Sequence, residues 1–444
     1  VIYTNDEHGY MEGEQENQGA STLIQLWRNE LGYDPEGPFL LLSGGDNWSG
    51  PAISSWTYGE SMTEVMNAMD YDASALGNHE FDFGLDELRQ RTEQANFPYL
   101  SANTRWKATG EVPTGLGVLP FSITEVNEVR IGIVGLTTTS TPWVTNPVYV
   151  ADLSFINYET ALRETIPLVE AQAPDLVFVI GHVCLDSIEQ LAASVTDLGI
   201  AMMGAGHCNE LTAKMIGETL ILGGGYHFTS YATANFHYDL ERERLLDLTY
   251  ATHQHEGQSL APDTRIESIV AGWRAQFETI LGEVLAVSSR AISDEEEALR
   301  QAVVNSWLIA IPEADIALTN AGGLRSPLPA GNITFSDVNN LMPFDNTIIT
   351  TRVSGKVVAQ AIEEGRRPIV GGMQMRGNGW IFADSGLPLE ADQEYVVALN
   401  SFMYNGGDNF GAIAEADANG RDTGINYRQP FVNWLQTAGN LNLP

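Results

Sequence analysis

The chain has 444 residues, 43% of them hydrophobic, with 58 acidic against 22 basic residues and a net charge of −36. That length suffices for two domains with sizeable cores. A field of that sign repels nucleic acid polymers and anionic membrane surfaces, and no apolar run approaches the ~18 residues of a membrane span.

Only three of the basic residues are lysines (Lys107, Lys214, Lys356), and the acidic excess reads as a solvated surface. The first residue, Val1, already lies in the apolar-to-polar run Val1 to Asn5, which leads us to expect that an initiator Met and a signal peptide have been removed. Short apolar strand candidates follow at Phe39 to Leu42, Ala73 to Leu76, Arg130 to Leu136, Asp175 to Ile180, Ile200 to Met203 and Thr219 to Leu222. Segments of helical spacing, among them Ser21 to Leu31 and Tyr158 to Glu170, lie between them, which predicts an α/β domain. From Tyr231 to Thr249 the pattern turns β-like, with a hairpin over Tyr238 to Leu246. Pro262 then opens a helix whose apolar residues Ile266, Ile269, Val270, Trp273, Phe277 and Ile280 share a face. The domain boundary is placed there: 1–258 as one domain, 259–283 as a linking helix, and 284–444 as a second α/β domain. The second domain has strands at Ile316 to Thr319, Thr347 to Val353 and Tyr395 to Leu399, and a helix at Gly355 to Glu364. There is no internal repeat.

Chemistry concentrates at the ends of the first domain's strands. Asp6-Glu7-His8, Gly45-Asp46, Asn78-His79, Gly181-His182 and Gly206-His207-Cys208-Asn209 each follow an apolar strand candidate. Strand ends of one sheet converge on one edge, so these oxygen and imidazole donors can meet there. Two Asp, three His and one or two Asn carbonyls suit a pair of divalent ions sharing one carboxylate better than one tetrahedral zinc. Taken singly, each pair has a blander reading as a turn; five in strand-end register are improbable by accident. His79 has a carboxylate, Asp82, three residues on, as an acid/base imidazole requires. Cys184 and Cys208 stand beside the proposed ligands His182, His207 and Asn209. Two outcomes are open for them: a disulfide bracing the two loops, or two free thiols.

The order D-x-H, G-D, G-N-H-E, G-H, G-H-x-N resembles the calcineurin-like dinuclear metallophosphoesterases, in particular the secreted 5′-nucleotidase family. Thr319-Asn320-Ala321-Gly322-Gly323-Leu324-Arg325, Met342-Pro343-Phe344-Asp345-Asn346-Thr347 and Asn405-Gly406-Gly407-Asp408 are similar to that family's C-terminal signatures, so the resemblance covers almost the whole chain. It implies a four-layer metallophosphoesterase sandwich followed by a substrate-binding domain. It also implies two divalent ions, Zn or Mn, held by Asp6, His8, Asp46, Asn78, His182, His207 and Asn209, with Asp46 bridging and with His79 and Asp82 as the catalytic dyad. Asn320, Gly322, Gly323, Arg325, Phe402 and Asp408 would bind substrate. The implied activity is release of nucleoside and phosphate from nucleoside 5′-monophosphates by a metal-bound hydroxide, in a periplasmic, cell-surface or secreted monomer or homodimer.

Three positions depart from that pattern. Asn209 stands where many relatives have His or Gln. Met373 aligns with the first of two base-sandwiching aromatics. Val303-Val304-Asn305-Ser306-Trp307-Leu308 lacks the Asp and Arg of an Asp-Ala-x-Arg helix end, and Arg300, Arg366 and Arg367 are the candidate replacements. Two other readings stand beside the first: a 2′,3′-cyclic nucleotide phosphodiesterase or nucleotide-sugar hydrolase, and a catalytically quiet ligand-binding protein of the same fold. The retained His79, Asp82 and metal ligands argue against the quiet protein.

Overall fold

Alternation along the short apolar strands sends consecutive side chains into different layers. In the computed structural model, which describes residues 1–15, 17–257, 259–377 and 379–443, Leu41 enters one core and Leu42 another, and Val177 and Val179 part in the same way from Phe178 and Ile180.

Two sheets result. The first is seven-stranded: Ile2–Thr4, Leu41–Ser43, Ala73–Ala75, Tyr99–Leu100 and Val118–Leu119 run parallel, and the antiparallel hairpin Ser230–Asp239/Arg244–Gln254 joins at Ile2–Thr4. The second is six-stranded: Val129–Thr137, Leu176–His182, Met202–Gly204 and Thr219–Gly224 are parallel, with antiparallel strands at both edges. Tyr3, Leu42 and Ala75 of one sheet meet Ile133, Phe178 and Leu222 of the other in a shared core. The helices Ala20–Leu31 and Glu60–Ala68 cover the first sheet's outer face through Leu23, Trp27, Val65 and Met66. Tyr158–Glu170 and Leu185–Ser194 cover the second's through Leu162, Ile166 and Ile188. Helix, sheet, sheet, helix is the four-layer sandwich that the resemblance implied.

The chain divides into two compact units, 1–141 with 149–275, and 142–148 with 276–444. Gln258, the expected end of the first domain, lies outside the described residues. The helix expected from Pro262 begins at Thr264 and runs to Leu281. It starts later because the Asp263 carboxylate caps it, accepting from the backbone N–H of Arg265 at 2.9 Å and of Ile266 at 3.0 Å. Its apolar face is shorter than its spacing suggests. Ile266 and Val270 are buried, whereas Ile280 is 50% exposed. The capture of residues 142–148 by the second unit has no local sequence signal.

The second unit is built on a five-stranded sheet in the order Pro368–Gly371, Ile316–Asn320, Glu394–Asn400, Thr347–Ser354, Arg421–Asn426. Ile316 and Leu318 face one core and Ala317 the other, so both faces are covered. Among the described residues, no helix is long and apolar enough to cross a membrane.

Candidate metal centre

The first-unit candidate ligands and His79 sit at or just beyond the C-terminal ends of parallel strands. Asp6 and His8 follow Ile2–Thr4, Asp46 follows Leu41–Ser43, and Asn78 and His79 follow Ala73–Ala75. His182 ends its own strand, and His207 and Asn209 follow Met202–Gly204. To aim side chains back at that edge the loops turn sharply. Asp6, His8, Asp46, His207 and Asn209 all hold positive φ, from 47° at His8 to 71° at His207. Such backbone costs roughly 1–3 kcal/mol per residue and persists only where the surroundings impose it. Gly77 leaves the room required, since a Cβ there would stand 2.1 Å from Asp46 Oδ1.

Atoms able to hold a metal form two groups, His8/Asp46/His79 and Asp46/His182/His207, each within 4.8 Å, and Asp46 belongs to both; His79, in the first, is also the ring held by Asp82. His182 Nε2 lies 2.8 Å from Asp46 Oδ2 and 3.1 Å from His207 Nδ1, and His8 Nε2 lies 3.9 Å from Asp46 Oδ2 and 3.8 Å from Asp6 Oδ1. The far ring nitrogens are occupied: His182 Nδ1 bonds the Gly44 carbonyl at 2.9 Å and His8 Nδ1 the Ser49 carbonyl at 2.8 Å. Nδ1 therefore carries the proton in both rings, and the Nε2 lone pairs turn inward, as metal-ligating histidines require. Asn78 is buried, and its Oδ1 has no hydrogen-bond partner. A buried amide oxygen left unpaired beside carboxylates and imidazoles is what a hard cation satisfies. The donor set fits two divalent ions. Asn209 is placed differently: it is exposed and lines a cavity with Glu14 and His255.

The protein's own charges tell the same story. Burial pushes Asp6 up to about 7, against the pull of His182. Burial would lift Asp46 too, but His182 and His79 outweigh it and hold that carboxyl well below its ordinary value. Burial disfavours the His182 cation, yet Asp46 draws it up to about 9. Divalent ions favour ionised carboxylates and unprotonated imidazoles, so binding them releases protons here.

His79 Nδ1 and Asp82 Oδ2 are 2.5 Å apart, and Ser49 Oγ donates to the same oxygen at 2.7 Å. The His79 backbone N–H donates to Asp46 Oδ1 at 2.8 Å, so the dyad and the shared carboxylate are fastened together. Sequence reasoning missed two supporting carboxylates. Glu80, fully buried, accepts from the backbone N–H of Asp46, Asn47 and Gly77 at 3.0, 2.6 and 2.7 Å. Glu7, also fully buried, accepts from Thr4 Oγ1, Ser43 Oγ and Asn47 Nδ2. The available signal was an acidic residue adjoining a site histidine in each motif. Cys184 and Cys208 are joined in a disulfide with their Cα atoms 5.1 Å apart, which ties the loop after His182 to the loop of His207.

In the second unit Asn320 Nδ2 donates to Asp408 Oδ2 at 2.7 Å, while Asn400 Nδ2 donates to Asn320 Oδ1 at 3.1 Å. Gly322 lies against that pair: a Cβ there would be 3.5 Å from Asn320 Nδ2 and 3.7 Å from Asp408 Oδ2. Gly323 is likewise beside Asn320. Burial raises the Asp408 carboxyl, and the nearby Arg366 and Arg367 oppose the shift. Of the three candidate replacement arginines, these two approach Asp408, whereas Arg300 Nε bonds the Asp294 carbonyl. Arg325 is exposed, and the half-buried Phe402 has Gly407 against its ring. Met373 needs correcting. It is 5% exposed in the core with Ile316, Val370 and Tyr395, because the first residue of the Met373–Arg376 strand faces inward, and packing consumes its thioether.

Residues 281–415 match the family described as 5′-nucleotidase, C-terminal domain. A 5′-nucleotidase of Vibrio vulnificus is 26% identical over 475 residues, covering 92% of this chain and 85% of the relative. The crystal structure of a 5′-nucleotidase precursor from Thermus thermophilus superposes with a TM-score of 0.86 at 22% identity, covering 100% of this chain and 97% of that one. The sulfate thiohydrolase SoxB of Thermus thermophilus superposes at 0.78 with 16% identity, covering 100% and 94%. At these identities the superpositions show the shared two-domain fold, and one fold hosts more than one chemistry.

Proposed function

We propose that this chain, a phosphoesterase hydrolase of 5′-nucleotidase fold, hydrolyses nucleoside 5′-monophosphates to nucleoside and phosphate. The observation that carries the proposal is Asp46, shared by two ligand groups and fastened to the His79–Asp82 pair. Asp6, His8, Asp46 and Asn78 on one side, and Asp46, His182 and His207 on the other, would hold two divalent cations, with Asn209 at the margin. When bound, such ions neutralise phosphoryl oxygens and lower the pKa of a water. The chain's own groups do the rest. Asp82 and Ser49 orient the His79 ring so that Nε2 faces the reacting group, where it stabilises charge and gives a proton to the departing oxygen. Glu80 and Glu7 keep the loops that carry Asp46 and Asp6 from relaxing.

In this reading 1–258 is the catalytic domain, 259–283 the linking helix and 284–444 the substrate-binding domain. Asn320, Asp408, Gly322, Gly323 and Arg325 take the ribose and phosphate oxygens, and Phe402 offers the base a flat face. With Met373 buried, a single aromatic reads the base. Stacking is worth about 1–3 kcal/mol per base, so discrimination among bases is weak. The disulfide and the acidic surface support an oxidising, extracytoplasmic setting. The test is phosphate release from nucleoside 5′-monophosphates, 2′,3′-cyclic nucleotides, nucleotide sugars and glycerol phosphate, with and without chelator. Chelator-sensitive release across all nucleoside monophosphates is expected. Equal turnover of glycerol phosphate, or preference for a cyclic or sugar nucleotide, overturns the substrate class.

A further inference from the structure

His227 adjoins the metal centre but belongs to neither of the two groups of atoms that share Asp46. It lies in the first unit, in the loop between the strands Thr219–Gly224 and Ser230–Asp239. Its ring meets the His8 ring edge-on, with centroids 5.6 Å apart and planes at 82°. It also lies flat against Tyr10, with centroids 3.7 Å apart and planes at 17°. Its Nδ1 is 2.5 Å from Glu14 Oε1, and its backbone N–H donates to the Asp6 carbonyl at 2.9 Å. The same loop is fastened at its start. Asn5 Nδ2 donates to the Gly225 carbonyl at 2.7 Å and to Asp6 Oδ2 at 2.6 Å, and Asn5 Oδ1 accepts from the Gly224 N–H at 2.6 Å. One residue thus meets both candidate ligands of the first loop, His8 through its ring and Asp6 through its backbone.

The Ser49 carbonyl fixes which nitrogen of His8 carries the proton, but one hydrogen bond leaves a ring able to swing about the N–H···O line. Packing against the ring stops that swing. The His227 ring supplies it edge-on, as does His79, whose centroid is 5.1 Å away with planes at 65°. The His227 loop is itself held in a costly conformation, since His227 and Phe228 both have positive φ, 50° and 59°. The plain alternative is a surface ion pair that closes a loop. The His227 and Glu14 side chains are 16% and 33% exposed, and a pair so open to solvent contributes too little to hold two consecutive residues in left-handed backbone. The contacts with Asp6, His8 and Tyr10 impose that conformation. We propose that His227 is a positioning residue of the metal centre, held by Tyr10 and Glu14 so that its ring keeps His8 aimed at the ion that His8 and Asp6 would bind. The inference rests on the reading of those two residues as metal ligands, and it gives His227 itself no bond to the ion.

The test resolves the two ions. Mn²⁺ binding to the full chain is followed by competition with a fluorescent chelator for wild type, His227→Ala, His227→Phe and Glu14→Ala, beside thermal unfolding without metal. His227→Ala keeps the backbone N–H to Asp6 but removes the ring, so one Mn²⁺ ion should bind about tenfold more weakly while the other is unchanged. His227→Phe restores a flat ring against Tyr10 and His8 and should recover most of that affinity. Glu14→Ala leaves the stack but frees the ring, and should weaken the same ion less. A loss of stability alone would lower the metal-free melting temperature and leave the two affinities alike, so unequal loss with rescue by Phe is the signature of positioning. Two ions bound with wild-type affinities by His227→Ala overturn the proposal and leave the centre standing. Loss of an ion as complete in His227→Phe as in His227→Ala would make His227 a ligand and overturns it too. Wild type that binds no pair of Mn²⁺ ions overturns the reading of the centre as well. Should His227→Ala fail to fold, unequal loss in Glu14→Ala with wild-type affinities in His227→Phe carries the proposal, and unchanged affinities in both overturn it.

Discussion

Replacing Glu80 by Gln changes one atom in a group that touches no proposed metal or substrate, yet it should damage the centre. The carboxyl group receives three backbone N–H groups, from Asp46, Asn47 and Gly77, in a fully buried setting, and it carries its charge when bound cations offset the field of Asp46. An amide has a single acceptor oxygen and turns its NH₂ toward a donor, so at least one of the three N–H groups is left buried and unpaired. That costs about 1–3 kcal/mol, and the loss of charge from the remaining bonds brings the total to about 3 kcal/mol. The bonds pin Asp46 at φ 59°, so loosening them moves the shared carboxylate, and metal affinity should fall about 10- to 100-fold. Burial, and then the charge of Asp46, push the Glu80 carboxyl up to about 8. Bound cations oppose that shift by cancelling the field of Asp46, so the gap in melting temperature between wild type and Glu80→Gln should widen when Mn²⁺ is added. The assay is Mn²⁺ competition with a fluorescent chelator, beside thermal unfolding with and without metal. Unchanged affinity, with melting curves that overlay in both conditions, would refute the view that Glu80 positions the Asp46 loop.

His79→Ala should lower kcat about 10²- to 10⁴-fold while metal content is unchanged, because its backbone N–H to Asp46 survives the substitution; loss of metal would make His79 a ligand instead. Asn78→Ala should do the reverse and weaken metal binding first, read by the same metal analysis. Removing the Cys184–Cys208 bond with a double Ser variant opens a loop spanning 24 residues, which in the chain-entropy model costs about 3 kcal/mol. Denaturant unfolding measures that loss, and an unchanged midpoint would count against a bracing role. Burial raises the Asp72 carboxyl from 3.8 to about 6. The folded chain therefore holds that proton more tightly than the unfolded one, and stability falls as pH rises from 3.8 to 6. Above pH 6 the full penalty stands, at most about 3 kcal/mol for two pKa units. Asp72→Asn keeps an acceptor for the Leu41 N–H, so it should be more stable than wild type at pH 7 and indistinguishable below pH 4. Equal unfolding free energies at pH 7 would dismiss the penalty.

What the sequence determined by itself was a matter of local pattern. Apolar runs of strand length, the helical spacing of Tyr158 to Glu170 and the placing of Asp, Asn and His just after strands are written over a few adjacent residues. Parallel strands bring their ends to one edge of their own sheet, so Asp6, His8, Asp46 and Asn78, and likewise His182 and His207, could be grouped from sequence, but they belong to two sheets, and the stacking of those sheets is what joins the two sets. The tertiary structure decided what depends on partners distant in the chain. Glu80 meets the Asp46 N–H 34 residues away and Glu7 meets Asn47 at a separation of 40, and both act on groups whose need for an acceptor leaves no trace in residue type. The positive φ of Asp6, His8 and Asp46 likewise comes from packing around the loops, since neither Asp nor His demands it locally. Met373 shows the opposite limit. Alignment with a stacking position said nothing of which face its strand would turn inward, and the core of the second unit claimed the side chain because burying a thioether is favourable wherever an apolar gap needs filling.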